Sequence, residues 1–219
     1  MKLYPVMLNI SGRKVLVIGG GNVAARKVRD LLECGALVTV VAPSVEASIA
    51  ELKNSYPGKI EIVQRAYQKG DLVGAFMVFS ATDDEGVNRT VFQEAGELNI
   101  FINAVDDPPN CTFFVPSWFD RGGLVISVST GGISPSMAAR VRRDIEKIIP
   151  DSIETTLAAL QQARALLRED DEYKGLSSDT RGKILKQIVL DDGLLEELML
   201  NYKNDTVKIF LKKIISNES

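Results

Sequence analysis

Histidine is absent from this chain of 219 residues. Its absence excludes Ser-His and Cys-His catalytic pairs, imidazole metal sites and a histidine general base. Proton transfer must therefore come from carboxylates, lysine, tyrosine, cysteine or the ligand itself. The two cysteines, Cys34 and Cys111, are too few and too far apart in sequence for a disulfide framework or a metal-binding spacing. We predict no metal site.

The chain also has little net charge and no long apolar run. The formal net charge of −3 at pH 7 gives no electrostatic argument for binding nucleic acid or an anionic membrane. No N-terminal stretch has the pattern of a signal peptide, and no apolar run approaches ~18 residues, the length that spans a membrane. We expect a cytoplasmic protein that binds neither nucleic acid nor membrane.

An aliphatic run leads through three glycines into an alanine-rich stretch in the segment Val15–Lys27, VLVIGGGNVAARK. This order predicts a buried strand, a tight turn and a helix. Gly19, Gly21 and Ala24 fit the G-x-G-x-x-G/A fingerprint, in which the first glycine allows the turn and the second lets the backbone approach a pyrophosphate. The positive end of the helix would hold that phosphate. We predict dinucleotide binding; the alternative is a glycine turn that only closes a strand–helix unit.

Short β-rich runs alternate with helical patterns as far as residue 104. This alternation predicts a Rossmann-like α/β fold, a parallel sheet with helices on both faces, whose ligands bind beyond the carboxyl ends of the strands. The predicted strands are Lys14–Ile18, Leu37–Val41, Lys59–Val63, Phe76–Ser80 and Ile100–Ala104, and the predicted helices are Val23–Glu33, Val45–Asn54 and Glu85–Leu98.

The alternation ends near residue 110 and a small α+β segment follows. Thr112–Val115 and Leu124–Thr130 predict two strands joined by a turn, and Ser134 followed by Pro135 predicts the start of a helix that ends before Pro150. Two strands and one helix are too few to bury their apolar faces alone, so we expect a homodimer built from Thr112–Ile149.

The rest of the chain has a helical pattern throughout. Asp151 and Glu154 have the spacing of a capping box, which predicts the start of the first helix. Val207, Phe210, Ile214 and Ile215 form one apolar stripe at the end, which indicates a packed accessory bundle. The predicted parts are residues 1–112, a dinucleotide-binding domain; 113–150, a dimerisation and active-site segment; and 151–219, a helical C-terminal domain.

The segment after the second predicted strand bears on cofactor choice. No acidic residue directly follows Val41, where a dinucleotide fold usually binds the ribose hydroxyls, and Glu46 is near enough to serve or else faces solvent. No Arg or Lys lies between Val41 and Glu51 to hold a 2′-phosphate. The missing cation favours NAD over NADP. We also predict a cofactor contact at Thr82, after the fourth predicted strand.

Two adjacent carboxylates, Asp106 and Asp107, follow the fifth predicted strand in the sequence NAVDDPP. Adjacent residues of an extended segment point to opposite sides, so one carboxylate can face the cleft while the other caps the turn. One interpretation assigns both to the turn. The other makes one of them a proton acceptor beside the nicotinamide, in a chain without histidine.

A third cluster, Ser127–Pro135, again leads from a strand through glycines to a helix start, the geometry of an anion site. On the helix that follows, Ser136, Arg140, Arg143 and Lys147 share one face. One interpretation is a solvated basic face on a core helix. The other is a set of arginines that holds a carboxylate-rich ligand.

In this order, GGGNVAARK, SATDDEGVN, NAVDDP, FFVPSWFDRGGLVISVSTGGISPSMAARVR and the helical tail resemble the precorrin-2 dehydrogenase family, the N-terminal module of siroheme synthases. The resemblance covers residues 1–150 closely and the tail loosely. It implies NAD-dependent oxidation of precorrin-2 to sirohydrochlorin, on the route to siroheme or cobalamin. It also implies a homodimer in which residues 113–150 supply the interface and part of the active site.

The resemblance also implies roles for particular residues. Asp106 matches the family's catalytic aspartate, and Ser129 matches a serine that borders the substrate site. The matched cofactor contacts are Asn22, Val23, Pro43 and Ser44. Our own assignment from helix geometry makes Arg140, Arg142 and Arg143 partners of the substrate's carboxylates.

Two alternatives stay open at this point. A bifunctional enzyme would also insert ferrous iron into sirohydrochlorin. A non-catalytic dinucleotide-sensing module would use the glycine turn and the dimer without a reaction, and would not require a carboxylate beside the nicotinamide.

Overall fold

A computed structural model describes residues 2–105 and 107–217 of the chain. These residues form two compact units, Met1–Val115 and Pro116–Ser219. No helix in the described ranges is both long enough and apolar enough to cross a membrane.

The first unit contains one parallel sheet of five strands in the order β3-β2-β1-β4-β5. Its strands are β1 (Lys14–Ile18), β2 (Leu37–Val41), β3 (Ile60–Val63), β4 (Met77–Ser80) and β5 (Phe101–Ala104), and its helices are α1 (Asn22–Glu33), α2 (Ala47–Ser55) and α3 (Glu85–Glu97). The predicted Rossmann-like α/β fold is confirmed, and each predicted strand of the sheet lies within one residue of its observed bounds.

Helices cover both faces of this sheet, which explains why β1 is apolar at successive positions. Val15 and Val17 pack with α1 and α2 on one face. Leu16 and Ile18 pack with α3 on the other. Since side chains alternate across a strand, every residue from Val15 to Ile18 is buried.

The chain reverses its direction across the sheet after β3. It runs outward from β1 through β2 to β3 and then crosses to β4 on the other side of β1. Between β1 and β4 the sheet therefore has a topological switch point, and the crevice beyond the carboxyl ends of the strands there is where open α/β sheets bind ligands.

A buried carboxylate ties α3 to the loop that precedes β4. Glu94 is 3% exposed. It accepts hydrogen bonds from the Tyr67 hydroxyl and from the N–H of Gly70. Burial, with the hydrogen bond to Glu94, raises the pKa of Tyr67 far above its ordinary value, so the hydroxyl remains a donor at any physiological pH.

The prediction of a strand over Thr112–Val115 is wrong. Thr112 makes one backbone link to the edge strand β5, through its N–H to the Ile102 carbonyl at 2.8 Å, and the pairing goes no further. The aromatic ring of Phe113 instead packs edge-on against Phe79, 5.4 Å between ring centroids. The aromatic residues that predicted a strand here instead cover the sheet. Pro116 has no N–H and therefore cannot donate a hydrogen bond to a neighbouring strand.

The second unit begins with an antiparallel hairpin of β6 (Ser117–Arg121) and β7 (Leu124–Val128). Gly122 and Gly123 both have positive φ, the requirement of a two-residue type I′ turn. The helix α4 (Pro135–Ile148) follows, and the Ser134 hydroxyl accepts a hydrogen bond from the Met137 N–H as the predicted N-cap.

Four helices complete this unit: α5 (Ile153–Glu169), α6 (Ser178–Leu190), α7 (Asp192–Lys203) and α8 (Val207–Asn217). They pack around a common core that contains Val207, Phe210 and Ile214 of the predicted stripe, with Ile215 partly buried beside it. The tail is therefore a packed bundle. The finer division into residues 113–150 and 151–219 stays a prediction.

The predicted capping box at Asp151 and Glu154 is wrong. The N-cap of α5 is Ser152, and no side chain caps it. The Asp151 carboxylate instead lies 3.4 Å from the Arg121 guanidinium. Glu154 packs so closely on Gly122 that a Cβ there would overlap its side chain. Both residues contact the hairpin, a tertiary interaction that the local spacing does not encode.

Candidate dinucleotide site

Gly19, the first residue after β1, is required by both its conformation and its neighbours. Its φ of 120° lies in the region that favours glycine, and a Cβ there would overlap the Ala81 carbonyl oxygen beyond β4. Its N–H donates to the Val41 carbonyl at 3.0 Å. Gly19 thus brings the turn into contact with the ends of both neighbouring strands.

Gly20 is required by a different neighbour, and sequence reasoning missed it. A Cβ at this position would overlap the Ser44 carbonyl oxygen in the segment after β2. The Gly20 carbonyl also accepts a hydrogen bond from the Glu46 N–H at 2.8 Å. The available signal was the third consecutive glycine, since the fingerprint itself uses only two.

Gly21 differs from both, because a Cβ there would meet no protein atom within 4 Å. It is the N-cap of α1, and its carbonyl accepts the first helical hydrogen bond, from the Ala25 N–H at 2.9 Å. No side chain caps this helix, and its first turn carries no acidic residue. The N–H groups at the start of α1 are thus left for an anion in the open space above Gly21.

The glycine turn forms the floor of a cleft of ≈ 460 Å³. All the predicted cofactor contacts line it: Gly19, Gly21, Asn22, Val23, Pro43, Ser44 and Thr82. Gly20, Glu46, Ala81 and Asp83 also line it. The geometry brings these residues together around one space, and their individual roles in binding stay predictions.

The wall beyond β2 carries the feature that bears on cofactor choice. Pro43 and Ser44 are exposed there. The sequence left open whether Glu46 faces the cleft or the solvent, and in the structure Glu46 lines the same wall of the cleft. In dinucleotide folds this side binds the adenosine ribose. A carboxylate on this wall would accept hydrogen bonds from ribose hydroxyls and would repel a 2′-phosphate.

Asp106, the predicted catalytic residue, lies outside the described residues. Its neighbours are fixed: the Val105 N–H donates to the Ser80 carbonyl at 2.9 Å, and the Asp107 N–H donates to the Ala104 carbonyl at 3.3 Å. The Asp107 carboxylate accepts a hydrogen bond from the Asn110 side chain at 2.7 Å, within the turn that Pro108–Asn110 forms. Asp107 therefore shapes the turn.

Cys111 closes this turn. Its thiol donates to the Ala104 carbonyl at 3.1 Å and accepts from the Ala104 N–H at 3.2 Å. Burial raises the pKa of the Cys111 thiol, and the nearby Asp107 carboxylate adds to the rise. The thiol accordingly stays protonated and acts as a structural donor.

The predicted substrate contacts Ser129, Arg140 and Arg143 all lie in the second unit and are exposed. The Ser129 hydroxyl accepts a hydrogen bond from the Gly131 N–H at 3.1 Å. Arg140 lies 3.9 Å from Asp144 in a loose ion pair. Arg142, the third predicted carboxylate partner, is only partly exposed and is engaged by Glu146. Their role as carboxylate partners of a substrate stays a prediction.

The parallel sheet with its switch point, the glycine turn and the uncapped start of α1 define a Rossmann-type dinucleotide-binding domain. A family model described as putative NAD(P)-binding matches residues 6–117. A second model, described as the central part of sirohaem biosynthesis proteins, matches residues 121–148.

Similar proteins of known name extend these matches. The chain is 35% identical over 216 residues to a siroheme synthase of Methylobacillus flagellatus, covering 99% of this chain and 44% of that protein. It is 41% identical over 168 residues to a siroheme synthase of Stutzerimonas stutzeri, covering 77% of this chain and 36% of that protein. The chain thus spans less than half the length of these relatives.

A solved structure, "SirC, precorrin-2 dehydrogenase", matches with a TM-score of 0.75 and 29% identity, covering 98% of this chain and 100% of that one. The chain belongs to the precorrin-2 dehydrogenase family. The resemblance identified from its motifs is confirmed.

The glycine turn makes a testable prediction: Gly21→Glu should abolish NAD binding and leave the fold intact. The new side chain would meet no protein atom near its Cβ, yet it would place a negative charge where the helix start favours an anion. Calorimetric titration with NAD measures binding, and thermal melting measures the fold.

Gly96→Glu, the same change at an exposed and equally open position of α3, is the matched control. We expect this variant to bind NAD as the wild type does. Wild-type NAD affinity in Gly21→Glu would contradict the assignment of the turn.

Proposed function

We propose that the protein is an NAD-dependent oxidoreductase that oxidises precorrin-2 to sirohydrochlorin, in siroheme or cobalamin biosynthesis. The main support for this proposal is the open, uncapped glycine turn at the switch point. The chain that contains it matches a precorrin-2 dehydrogenase over that protein's full length. A nicotinamide-dependent step of this kind draws on the cytoplasmic cofactor pool, and we propose that the protein acts in that compartment.

The chemistry requires a hydride acceptor, a proton acceptor and a means of holding the substrate. Bound NAD would supply the hydride acceptor, and the cleft residues would orient it. Asp106 is the proposed proton acceptor, because it comes soon after β5 in the sequence, β5 is parallel to the strands whose carboxyl ends border the cleft, and its neighbour Asp107 is engaged in the turn.

Charge complementarity supports the proposed substrate. Precorrin-2 is a reduced tetrapyrrole rich in carboxylates, and guanidinium groups bind carboxylates through paired hydrogen bonds. Arg140 and Arg143 are exposed on one face of α4. With Ser129 they form the proposed substrate contacts of the second unit.

We also propose a homodimer through the hairpin and α4. One set of apolar side chains there is exposed to solvent: Val125, Ile133, Met137, Val141 and Ile148, with Ile133 89% and Ile148 76% exposed. Met137, Val141 and Ile148 are spaced by four and seven residues and therefore share one face of α4, and an exposed apolar face indicates an interaction site. A two-stranded sheet with one helix also needs further partners to be stable.

The proposed reaction is tested by mixing the protein with precorrin-2 and NAD and following the absorption spectrum, with and without ferrous iron. Asp106→Asn keeps the size of the side chain but removes the base. We expect turnover to fall about 10²–10⁴-fold, the usual cost of losing a general base, with NAD affinity nearly unchanged.

Asp107→Asn is the matched control for this change, because Asp107 serves the turn. We expect its effect on turnover to be far smaller. If Asp106→Asn turns over at the wild-type rate, Asp106 is not the proton acceptor. If the wild type itself does not oxidise precorrin-2, the proposed reaction is refuted.

Cofactor choice gives a further prediction: NAD should be used with higher kcat/KM than NADP. Glu46 lines the cleft wall beyond β2, and no lysine or arginine lies between Val41 and Glu51. Glu46→Gln should improve NADP affinity about fivefold, because one repulsive contact near the surface costs on the order of 1 kcal/mol.

Glu51→Gln, at an exposed position further along α2, is the control and should leave both affinities unchanged. Equal use of NADP by the wild type would contradict the proposed preference. If Glu46→Gln leaves the NADP affinity unchanged, Glu46 does not repel the 2′-phosphate of NADP.

The dimer is tested by sedimentation at micromolar concentration, where we expect twice the mass of the chain. Val141→Glu should yield folded monomers, since this exposed side chain would place a charge in the proposed interface. Ile209→Glu, the same change at an exposed apolar position of α8, should remain dimeric. A monomeric wild type would contradict the proposal.

A further inference from the structure

Asn88 of α3 makes two side-chain hydrogen bonds that the proposed chemistry does not use. Its amide N–H donates to the Thr82 carbonyl at 2.9 Å, and its amide oxygen lies 2.6 Å from the Ser80 hydroxyl. Because a carbonyl can only accept, the amide nitrogen must face Thr82, and the Ser80 hydroxyl must then donate to the amide oxygen. The contacts fix the orientation of the side chain.

These bonds act on Ala81–Asp83, the loop that lines the cleft beyond β4. The first residue of this loop is bonded to the end of β1, since the Ala81 N–H donates to the Ile18 carbonyl at 2.7 Å. The middle residue is held from the side by Asn88. The backbone that faces the cleft is therefore fixed at successive residues.

Capping of α3 does not explain Asn88. Asp84 is the N-cap of this helix and already accepts a hydrogen bond from the Val87 N–H at 3.0 Å. The amide of Asn88 instead leaves the helix to reach a loop carbonyl. A side chain that only stabilised the helix start would have no reason to bind Thr82.

Ser80 extends the network toward the proposed catalytic residue. It is 1% exposed, so its hydroxyl has to find a partner within the protein. Its carbonyl accepts the N–H of Val105 at 2.9 Å, and Val105 directly precedes Asp106 in the sequence. One buried serine thus joins Asn88 to the backbone beside the proposed proton acceptor.

Resting on the proposed dinucleotide function, we infer that Asn88 is a positioning residue that holds the Ala81–Asp83 loop against the nicotinamide half of the cofactor. The assignment to that half follows from the sheet order. In dinucleotide folds the end of β2 binds the adenosine ribose, and β4 lies on the opposite side of β1. The loop after β4 therefore faces the other half of the dinucleotide.

The test is Asn88→Asp, which keeps the shape of the side chain but turns its only donor toward Thr82 into an acceptor. Binding of NAD and of AMP, which carries the adenosine half alone, is measured by calorimetric titration. We expect NAD affinity to fall about tenfold, the size of one lost and one repulsive contact, and AMP affinity to stay within about twofold of the wild type.

Gln93→Glu makes the same amide-to-carboxylate change at an exposed position of α3 and is the matched control. It should bind both probes as the wild type does. Ser80→Ala is a second route to the same network, since it removes the donor to the Asn88 amide oxygen with little change in volume. We expect it to weaken NAD binding about threefold, again with AMP spared.

The outcomes separate the positioning role from other failures. Wild-type NAD affinity in a folded Asn88→Asp overturns the inference, and so does equal loss of NAD and AMP binding, which would mean a general disturbance of the site. If Asn88→Asp does not fold, the NAD and AMP affinities of Ser80→Ala test the inference in its place. A wild-type protein that does not bind NAD refutes the proposed function instead.

Discussion

The site depends on the close approach of three backbone segments at the carboxyl end of β1. The glycine turn after β1 lies between the segments that follow β2 and β4, and it touches a carbonyl oxygen of each. Any side chain at Gly19 or Gly20 would force these segments apart. Their contact places the start of α1 at the switch point with its N–H groups uncapped. Backbone packing alone thus leaves N–H groups where an anion can bind, without a charged side chain.

Hydrogen bonds from α3 help to fix the side of the cleft that lies beyond β4. The loop Ala81–Asp83 lies outside strand β4, so side-chain hydrogen bonds add to the packing that holds it. Asn88 supplies one of those bonds from the helix. The position of α3 is set in turn by its apolar face on the sheet and by the buried Glu94. Packing of a helix is thereby linked to the shape of a cofactor site.

The second unit combines a well-buried bundle with an uncovered segment. The core of α5–α8 encloses its apolar side chains, whereas the hairpin and α4 leave several apolar residues exposed. The same α4 also carries the exposed arginines proposed to hold carboxylates. The proposed dimer would bury the apolar face of this segment and leave its basic face in water.

Local sequence determined much of this protein: the parallel strands through their apolar runs, the start of α4 through Ser134 and Pro135, and the glycine turn with the motifs that identify its family. These features depend on residues close together in the chain. Tertiary structure alone decided the need for Gly20, the place of Glu46 on the cleft wall, the bond from Asn88 to Thr82, and the loss of the capping box at Asp151. Each of these depends on a partner from a different element, and the distance between such partners exists only after the chain has folded.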